Sequence, residues 1–168
     1  MLLDATRLLV FPALMAFAAS SDLLTMTISN RISLSLVAAF VVLALASGMG
    51  LREVGWHFLA GFAVLVVTFG FFTQGWIGGG DAKLAAATAL WFGFDHLLDY
   101  FTYASLLGGA LTLALLQLRK LPLPAAMARH AWVERLHDQN TGIPYGIALA
   151  AAALLVYPHT TWLQALSR

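Results

Sequence analysis

The chain has 168 residues, of which 61% are hydrophobic and 10% are charged, and its mean hydropathy is +0.84. Because a soluble domain carries about 25% charged residues, this composition excludes an ordinary soluble protein and predicts a membrane protein with several spans. The net charge of +1 and the lack of a basic tract give no indication of nucleic-acid binding, and the absence of cysteine excludes disulfides, thiol catalysis and cysteine-based zinc sites.

Six apolar segments follow one another along the chain and predict an all-α, polytopic membrane protein with one domain, residues 1–168. The predicted spans are about Leu8–Leu23, Leu34–Ala46, Val54–Phe72, Leu84–Phe94, Leu97–Leu118 and Ile143–Leu163. The first span ends in a sequence similar to a signal-peptide cleavage site, Ala16-Phe17-Ala18, but Asp4 offsets Arg7 at its start. We therefore expect it to remain as an uncleaved span.

A glycine-rich stretch, Q-G-W-I-G-G-G-D-A-K, lies between the third and fourth spans, at Gln74–Lys83. Glycine resists helical ordering and bares the backbone, so four glycines among ten residues predict a break before helix 4. We expect helix 4 to begin after Asp81, and because such a span is short for a full crossing, it either extends through the break or stops short. An ionisable residue at a break inside a membrane protein is a candidate functional residue.

The largest hydrophilic segment, residues 119–142, is predicted to be a cytoplasmic loop within the domain. Ala125, Ala128, Trp132 and Leu136 fall on one helical face there, which favours an interfacial helix. Gly142 and Gly146 are four residues apart. This spacing is consistent either with close helix packing or with a simple helix start.

Counting lysine and arginine in the loops predicts the orientation of the chain, with the N-terminus outside. The inner loops then hold Arg31, Lys83, Arg119, Lys120, Arg129 and Arg135, and the outer side holds Arg7, Arg52 and Arg168. In this orientation Asp22 and Asp81 both lie at the cytoplasmic boundary of the membrane.

Asp22 and Asp81 are the acidic residues that loops and helix ends explain least well. If their helices are neighbours, the two carboxylates share one proton, so one can take a proton from water while the other donates one to a peptide carbonyl. Gly78 and Gly80 would let a substrate backbone approach Asp81, and Lys83 would hold an aspartate ionised or bind lipid phosphate. The alternative, that these charges anchor helices and the glycines permit packing, is equally consistent with the residues.

Other site classes find less support in the sequence. No H-E-x-x-H or phosphate-loop motif occurs, and no histidine is placed to activate Ser20 or Ser21. We expect no metal and no cofactor. A small proton- or cation-coupled transporter is the rival from a different class, but its carboxylates would lie near the bilayer midplane on repeated helices. Three tryptophans near predicted span ends favour an aromatic belt, namely Trp56, Trp76 and Trp162.

Three landmarks together resemble the type IV prepilin peptidase family of GxGD intramembrane aspartyl proteases. They are Gly78–Leu84 (G-G-G-D-A-K-L), Asp22 followed by Ile28-Ser29-Asn30, and Ile143-Pro144-Tyr145-Gly146. Ser29 stands where the family often has proline. The chain also lacks the cysteine-bearing N-terminal segment of the members that methylate the new N-terminus, so it is similar to the short, peptidase-only branch that serves tight-adherence (Flp) pili.

The resemblance implies six transmembrane helices and Asp22 and Asp81 as the catalytic pair, with Gly78, Gly80, Lys83 and Asn30 as supporting or substrate-binding residues. It implies a multi-pass protein of a bacterial inner membrane that cleaves the basic leader of Flp prepilins at the cytoplasmic face. Its partners would be the prepilin and membrane lipid, without nucleic acid. A preflagellin peptidase or another GxGD peptidase remains an alternative, and the sequence leaves the oligomeric state open.

Overall fold

The computed structural model describes residues 2–124 and 126–164, and the regular secondary structure of this part of the chain is entirely helical. Its helices are α1 Leu2–Thr25, α2 Asn30–Ala46, α3 Leu51–Thr73, α4 Gly79–Phe92, α5 Leu97–Leu118, α6 Ala131–His137, α7 Gly146–Val156 and α8 Thr161–Gln164, with a 3-10 turn Tyr157–His159 between the last two. The predicted all-α class is confirmed. Ala125 and Arg168, which entered the predictions of the interfacial helix and of orientation, lie outside the described residues.

Three of these helices, α1, α3 and α5, are long and apolar enough to cross a membrane. Their apolar stretches, Leu3–Thr25, Leu51–Thr73 and Leu97–Leu118, have 22 or 23 residues, which corresponds to about 33 Å of helix and matches a bilayer core of about 30 Å. Helices α2, α4 and α7 are apolar but shorter. The fold is therefore that of a polytopic membrane protein, and the count of six crossings stays a prediction.

Helix α4 lies at the centre of the bundle, packed against α3, α2 and α7. Every residue from Leu84 to Phe92 is buried, and a helix that is hydrophobic all round is typical of such a central position. Its small side chains let neighbouring helices approach closely. On α3, for example, a Cβ at Gly61 would come within 3.2 Å of the carbonyl oxygen of Ala86. Neighbouring helices therefore cover α4, which is too short to cross the bilayer alone.

Helix α4 begins earlier than the glycine content predicts. Gly78 is its N-cap, and Gly79, Gly80 and Asp81 form its first turn, so the prediction that helix 4 starts after Asp81 is wrong. The carboxylate of Asp81 accepts a hydrogen bond from the backbone N–H of Gly78, as the third residue does in a capping box. This bond satisfies a free donor of the first turn and offsets the low helix propensity of glycine. The break before helix 4 is thus confined to residues 74–78.

The predicted last span, Ile143–Leu163, is shorter in the structure. Helix α7 ends at Val156, and Pro158 lies in the following 3-10 turn, where its missing N–H and its ring prevent the helix from continuing. Within the loop 119–142 the helical segment is the seven-residue α6, which starts after Ala128 rather than including it.

An aromatic cluster fills the core at one end of the bundle. It consists of Phe11, Phe40, Trp91, Tyr157 and Trp162, with ring centroids between 4.4 and 6.2 Å apart. Trp162 is 3% exposed and donates from Nε1 to the carbonyl oxygen of Trp91 at 2.8 Å, so its assignment to the aromatic belt is wrong. Trp56 and Trp76 are exposed, as a belt requires. The opposite end, formed by the C-termini of α1, α3 and α5 and the N-termini of α2, α4 and α7, is termed the aspartate face.

Candidate functional site

A cavity of about 870 Å³ opens at the aspartate face. Its walls come from the end of α1, the loop before α4, the last turns of α5 and the loop before α7. The lining residues are Asp22, Met26, Gly75, Trp76, Ile77, Gly78, Asp81, Thr112, Arg119, Thr141, Gly142, Ile143 and Tyr145. The fold thus brings Asp22 and Asp81, which are 81 − 22 = 59 positions apart in the chain, to one cavity.

Asp22 sits in the last turns of α1 and is 5% exposed. The helix ends at Thr25 because Met26 adopts a left-handed backbone (φ 54°), with its N–H bonded to the carbonyl oxygen of Asp22 at 2.8 Å. The side-chain Oδ2 of Asp22 accepts a hydrogen bond of 2.8 Å from the backbone N–H of Gly146. Gly146 is the first residue of α7, where the positive end of the helix dipole also favours a carboxylate.

Asp81 reaches the cavity from the first turn of α4 and is partly exposed. Its carboxylate accepts the bond from the N–H of Gly78 and lies close enough to Asp22 for the charge of one to act on the other. A like charge nearby disfavours the ionised form of a carboxylate, so ionising the second member of the pair costs more than ionising the first. Such a pair can work as general acid and general base on a bound water.

The two glycines singled out by the sequence have different surroundings. A Cβ on Gly78 would lie 2.9 Å from Oδ2 of Asp81, so the glycine leaves the carboxylate room beside the cavity. Gly80 does not line the cavity. A Cβ there would lie 3.1 Å from Cβ of Ile28 and 3.4 Å from its backbone N and O, so Gly80 lets the connection between α1 and α2 pack against α4.

Lys83 and Asn30 lie outside the cavity and contact each other. Lys83 Nζ donates to Oδ1 of Asn30 at 2.6 Å, which joins α4 to the first residue of α2. Of the six candidate site residues predicted from the sequence, three therefore line the cavity, namely Asp22, Gly78 and Asp81. Asn30, Gly80 and Lys83 do not line it.

Residues 9–113 match the family model described as the type IV leader peptidase family. This segment is 105 of the 168 residues and contains both aspartates, Gly78 and Lys83. The chain belongs to the type IV leader peptidase family. None of the curated proteins and none of the solved structures that were compared with it matches significantly. Membership implies a membrane peptidase that acts on leader peptides, and the two carboxylates in one cavity lie within the matched segment.

Gly146 bonds directly to Asp22, and the sequence interpretation did not identify it as a candidate site residue. Besides its bond to Asp22, it has no room for a side chain, because a Cβ would lie 2.7 Å from Oδ2 of Asp22 and 2.6 Å from Cδ1 of Ile28. Gly142 is different, since a Cβ there would meet nothing within 4 Å. The two glycines are therefore not a packing pair. The signal in the sequence was the position of Gly146 directly after Pro144-Tyr145, at the start of the last span.

Tyr145 lines the cavity beside Gly146 and is partly buried. Its hydroxyl donates to the carbonyl oxygen of Ala104 at 3.1 Å. The ring lies directly over Gly108 of α5, where a Cβ would clash with it. Gly108 thus forms the seat that holds the Tyr145 ring against the wall of the cavity.

Arg119, the C-cap of α5, is buried and also lines the cavity. Its Nε donates to the carbonyl oxygen of Leu136 at 2.8 Å and its Nη2 to that of Gly142 at 2.9 Å. The guanidinium therefore ties the loop 119–142 to α5 at two points, Leu136 and Gly142. In the same loop, the backbone N–H of Asn140 donates a hydrogen bond to the carboxylate of Asp138. This bond lowers the pKa of Asp138 below its ordinary value.

Among the described residues, no group of three or more His, Asp or Glu side chains is placed to hold a metal ion. The arrangement that the structure does contain is a pair of carboxylates, each accepting a hydrogen bond from a backbone N–H, on the wall of a cavity that water can enter.

Proposed function

We propose that this leader peptidase is an aspartyl endopeptidase that removes the leader of type IV-like (Flp) prepilins, with Asp22 and Asp81 as its catalytic pair. The observation that carries the proposal is the meeting of these two carboxylates in one cavity at the aspartate face. The family match supports the peptidase class. The aspartic mechanism and the substrate are the parts that we infer.

In the proposed reaction one aspartate is ionised and the other protonated. The ionised carboxylate takes a proton from water, whose oxygen attacks the carbonyl carbon of the scissile bond, while the protonated carboxyl donates its proton to the carbonyl oxygen. The tetrahedral intermediate then collapses: the carboxyl that took the proton from water gives it to the leaving amine as the C–N bond breaks, and the other carboxylate takes a proton from a hydroxyl of the intermediate, which becomes the new carboxyl group. Hydrolysis therefore returns the pair to its shared-proton state without a covalent intermediate.

The hydrogen bonds from Gly146 and Gly78 give the two carboxylates fixed positions in this mechanism. Each donor occupies one oxygen lone pair and leaves the remaining ones free to bind water or substrate. Asn30, Gly80 and Lys83 face away from the cavity, so we propose that they support the position of α4 and do not contact the scissile bond.

A prepilin fits the location of the cavity. Its scissile bond would lie between a basic leader and a hydrophobic helix, and the cavity lies at the end of the bundle where the apolar helices α1, α3 and α5 end. Met26, Trp76, Ile77 and Ile143 supply apolar wall, which suits the hydrophobic residues next to the scissile bond. We place this face on the cytoplasmic side of a bacterial inner membrane, because most of the lysines and arginines in the loops lie at this end of the bundle. The proposal covers hydrolysis and leaves N-methyl transfer out.

The test is leader cleavage of a co-expressed Flp prepilin, followed as a shift in gel mobility. We compare the wild type with Asp22→Asn, Asp81→Asn and the control Asp99→Asn, whose carboxylate is exposed in the first turn of α5 at the opposite end. We expect cleavage by the wild type and the control and none by the two site variants, at equal abundance in the membrane. Normal cleavage by either site variant would sink the two-aspartate mechanism.

A wild type that leaves the Flp prepilin intact would overturn the substrate assignment but not the peptidase class. A panel of preflagellin and other pilin-like precursors, each with its basic leader, would then separate the prepilin reading from the preflagellin alternative.

A further inference from the structure

An apolar groove of about 460 Å³ lies on the outer side of α4, between α2 and α3. From α4 it is lined by Lys83, Ala86, Ala87 and Leu90, which are spaced to share one helical face. Since successive residues turn by about 100°, Lys83 points almost opposite to Asp81. The groove is therefore separate from the cavity that holds the two aspartates.

The surface of the groove is almost wholly apolar, and the three polar residues that line it lie together at one end. Asn30, Ser33 and Lys83 lie at its end on the aspartate face, and the other lining residues are Leu34, Val37, Phe58, Gly61, Phe62, Leu65, Ala86, Ala87 and Leu90. From Lys83 to Leu90 the helix rises about 10 Å, which is most of one leaflet of a bilayer core about 30 Å thick. A phospholipid in that leaflet has the same layout, with its headgroup at the polar end.

Lys83 supplies the charge that selects the headgroup. An ammonium group has three donors, and one of them bonds to the neutral amide oxygen of Asn30 at 2.6 Å. Within residues 2–124 and 126–164, no carboxylate lies at ion-pair distance from it. The cation thus has two donors left for an anion, and it would repel a basic peptide that entered the same groove.

We propose that the groove between α2 and α3 binds one anionic phospholipid, with the headgroup phosphate on Lys83 and an acyl chain against Ala86, Ala87 and Leu90. The bound lipid fills the space between two helices that both pack on α4. It therefore stabilises the helix that carries Asp81 from the side opposite the cavity.

Native mass spectrometry of the full-length protein, delipidated in detergent, tests the proposal with phosphatidylglycerol and with phosphatidylcholine of the same acyl chains. We expect the wild type to retain phosphatidylglycerol preferentially and Lys83→Gln to weaken that binding roughly fivefold, the effect of one lysine on an anionic lipid. Lys83→Arg, which keeps the charge, should retain the binding. The control Lys120→Gln, an exposed lysine outside the groove on the same face, should leave it unchanged.

A second variant tests the acyl-chain half of the proposal. Val37→Trp places a large side chain in the groove from α2 and is expected to weaken the binding of both lipids, while soluble glycerol phosphate should not displace the lipid. The proposal is overturned if Lys83→Gln binds as the wild type does, or if Lys120→Gln loses as much. It also fails if Val37→Trp leaves the binding intact, or if glycerol phosphate competes, because the protein would then hold a phosphate without using the groove.

Discussion

The backbone N–H of Gly146 donates a hydrogen bond of 2.8 Å to Oδ2 of Asp22, so the first residue of α7 fixes a carboxylate at the end of α1. The two residues are 124 positions apart. Gly146 is buried and without space for a Cβ, and a buried N–H that lost this acceptor would be left unsatisfied at a cost of about 1–3 kcal/mol. The position of Asp22 and the packing of α7 are therefore coupled.

Gly146→Ala is expected to lower prepilin cleavage by roughly 100-fold, the effect of a displacement of about 1 Å in a catalytic site. The added Cβ would lie 2.7 Å from Oδ2 of Asp22, so the carboxylate or α7 has to move. Gly142→Ala is the matched control, since its Cβ would meet nothing within 4 Å. Gel-shift assays at equal membrane abundance measure both. Equal activity of the two variants would show that the contact between Gly146 and Asp22 does not position the carboxylate.

Gly108→Ala is expected to displace Tyr145 from the wall of the cavity. A Cβ at Gly108 clashes with the Tyr145 ring, whereas one at the next residue, Gly109, meets nothing within 4 Å. We expect Gly108→Ala to reduce cleavage at least tenfold. Tyr145 directly precedes Gly146, so a shift of its ring also shifts the N–H of Gly146 that bonds to Asp22. Gly109→Ala should cleave as the wild type does.

Tyr145→Phe separates the ring from its hydroxyl. It removes the bond to the carbonyl oxygen of Ala104 and keeps the ring over Gly108. We expect a small loss in stability, about 1 kcal/mol, with cleavage largely retained. That result would show that the ring, and not the hydroxyl, holds Tyr145 and Gly146 in position. Full activity of Gly108→Ala would contradict the proposal that Gly108 positions the Tyr145 ring at the cavity.

The sequence could predict the shared face of the two aspartates, because alternating spans place the end of the first and the start of the fourth at one side of the membrane. It could also predict the bounds of α5, Leu97–Leu118, where a long apolar run has clear ends. It could not predict that Asp81 caps its own helix, since glycine propensity favours a break and the bond to Gly78 depends on three-dimensional geometry. The bond between Gly146 and Asp22 joins distant segments, so local pattern could not reveal it.

The same limit applies to Arg119 and Lys83. In the sequence both count as charges in loops or at span ends. Such a count predicts the orientation of the chain in the membrane but not the hydrogen-bond partners of each side chain. The structure shows that Arg119 is buried with two carbonyl acceptors, while Lys83 turns away from the aspartates to Asn30. Which side of a short buried helix a charge occupies depends on packing around α4, and that packing follows from contacts made across the whole chain.

The pH dependence of cleavage is expected to be bell-shaped. At low pH both Asp22 and Asp81 are protonated, so no base remains to take the proton from water. At high pH both are ionised, so no acid remains for the carbonyl oxygen. Activity therefore rises and then falls as pH increases, with two apparent values that belong to the pair. Initial rates on purified prepilin in detergent, at pH values where thermal unfolding shows the enzyme intact, measure this. A profile with a single limb across that range would contradict the shared proton.

Arg119→Met is expected to loosen the loop 119–142. The substitution keeps an apolar stem but removes the bonds to the carbonyl oxygens of Leu136 and Gly142. Two charge-assisted bonds contribute about 3 kcal/mol together, so local opening of the loop should become roughly 100-fold more frequent. Limited proteolysis with thermolysin, which does not require a basic residue, should cut the variant much faster within this loop than elsewhere.

Lys120→Met is the matched control for that experiment, because this neighbouring cation is exposed and the substitution is otherwise the same. It should be cut at the wild-type rate. Cleavage of prepilin should fall in Arg119→Met as well, since Gly142 and Arg119 both line the cavity and move together when the loop opens. If the loop of Arg119→Met resists thermolysin as well as that of Lys120→Met, the buried guanidinium does not hold the loop in place.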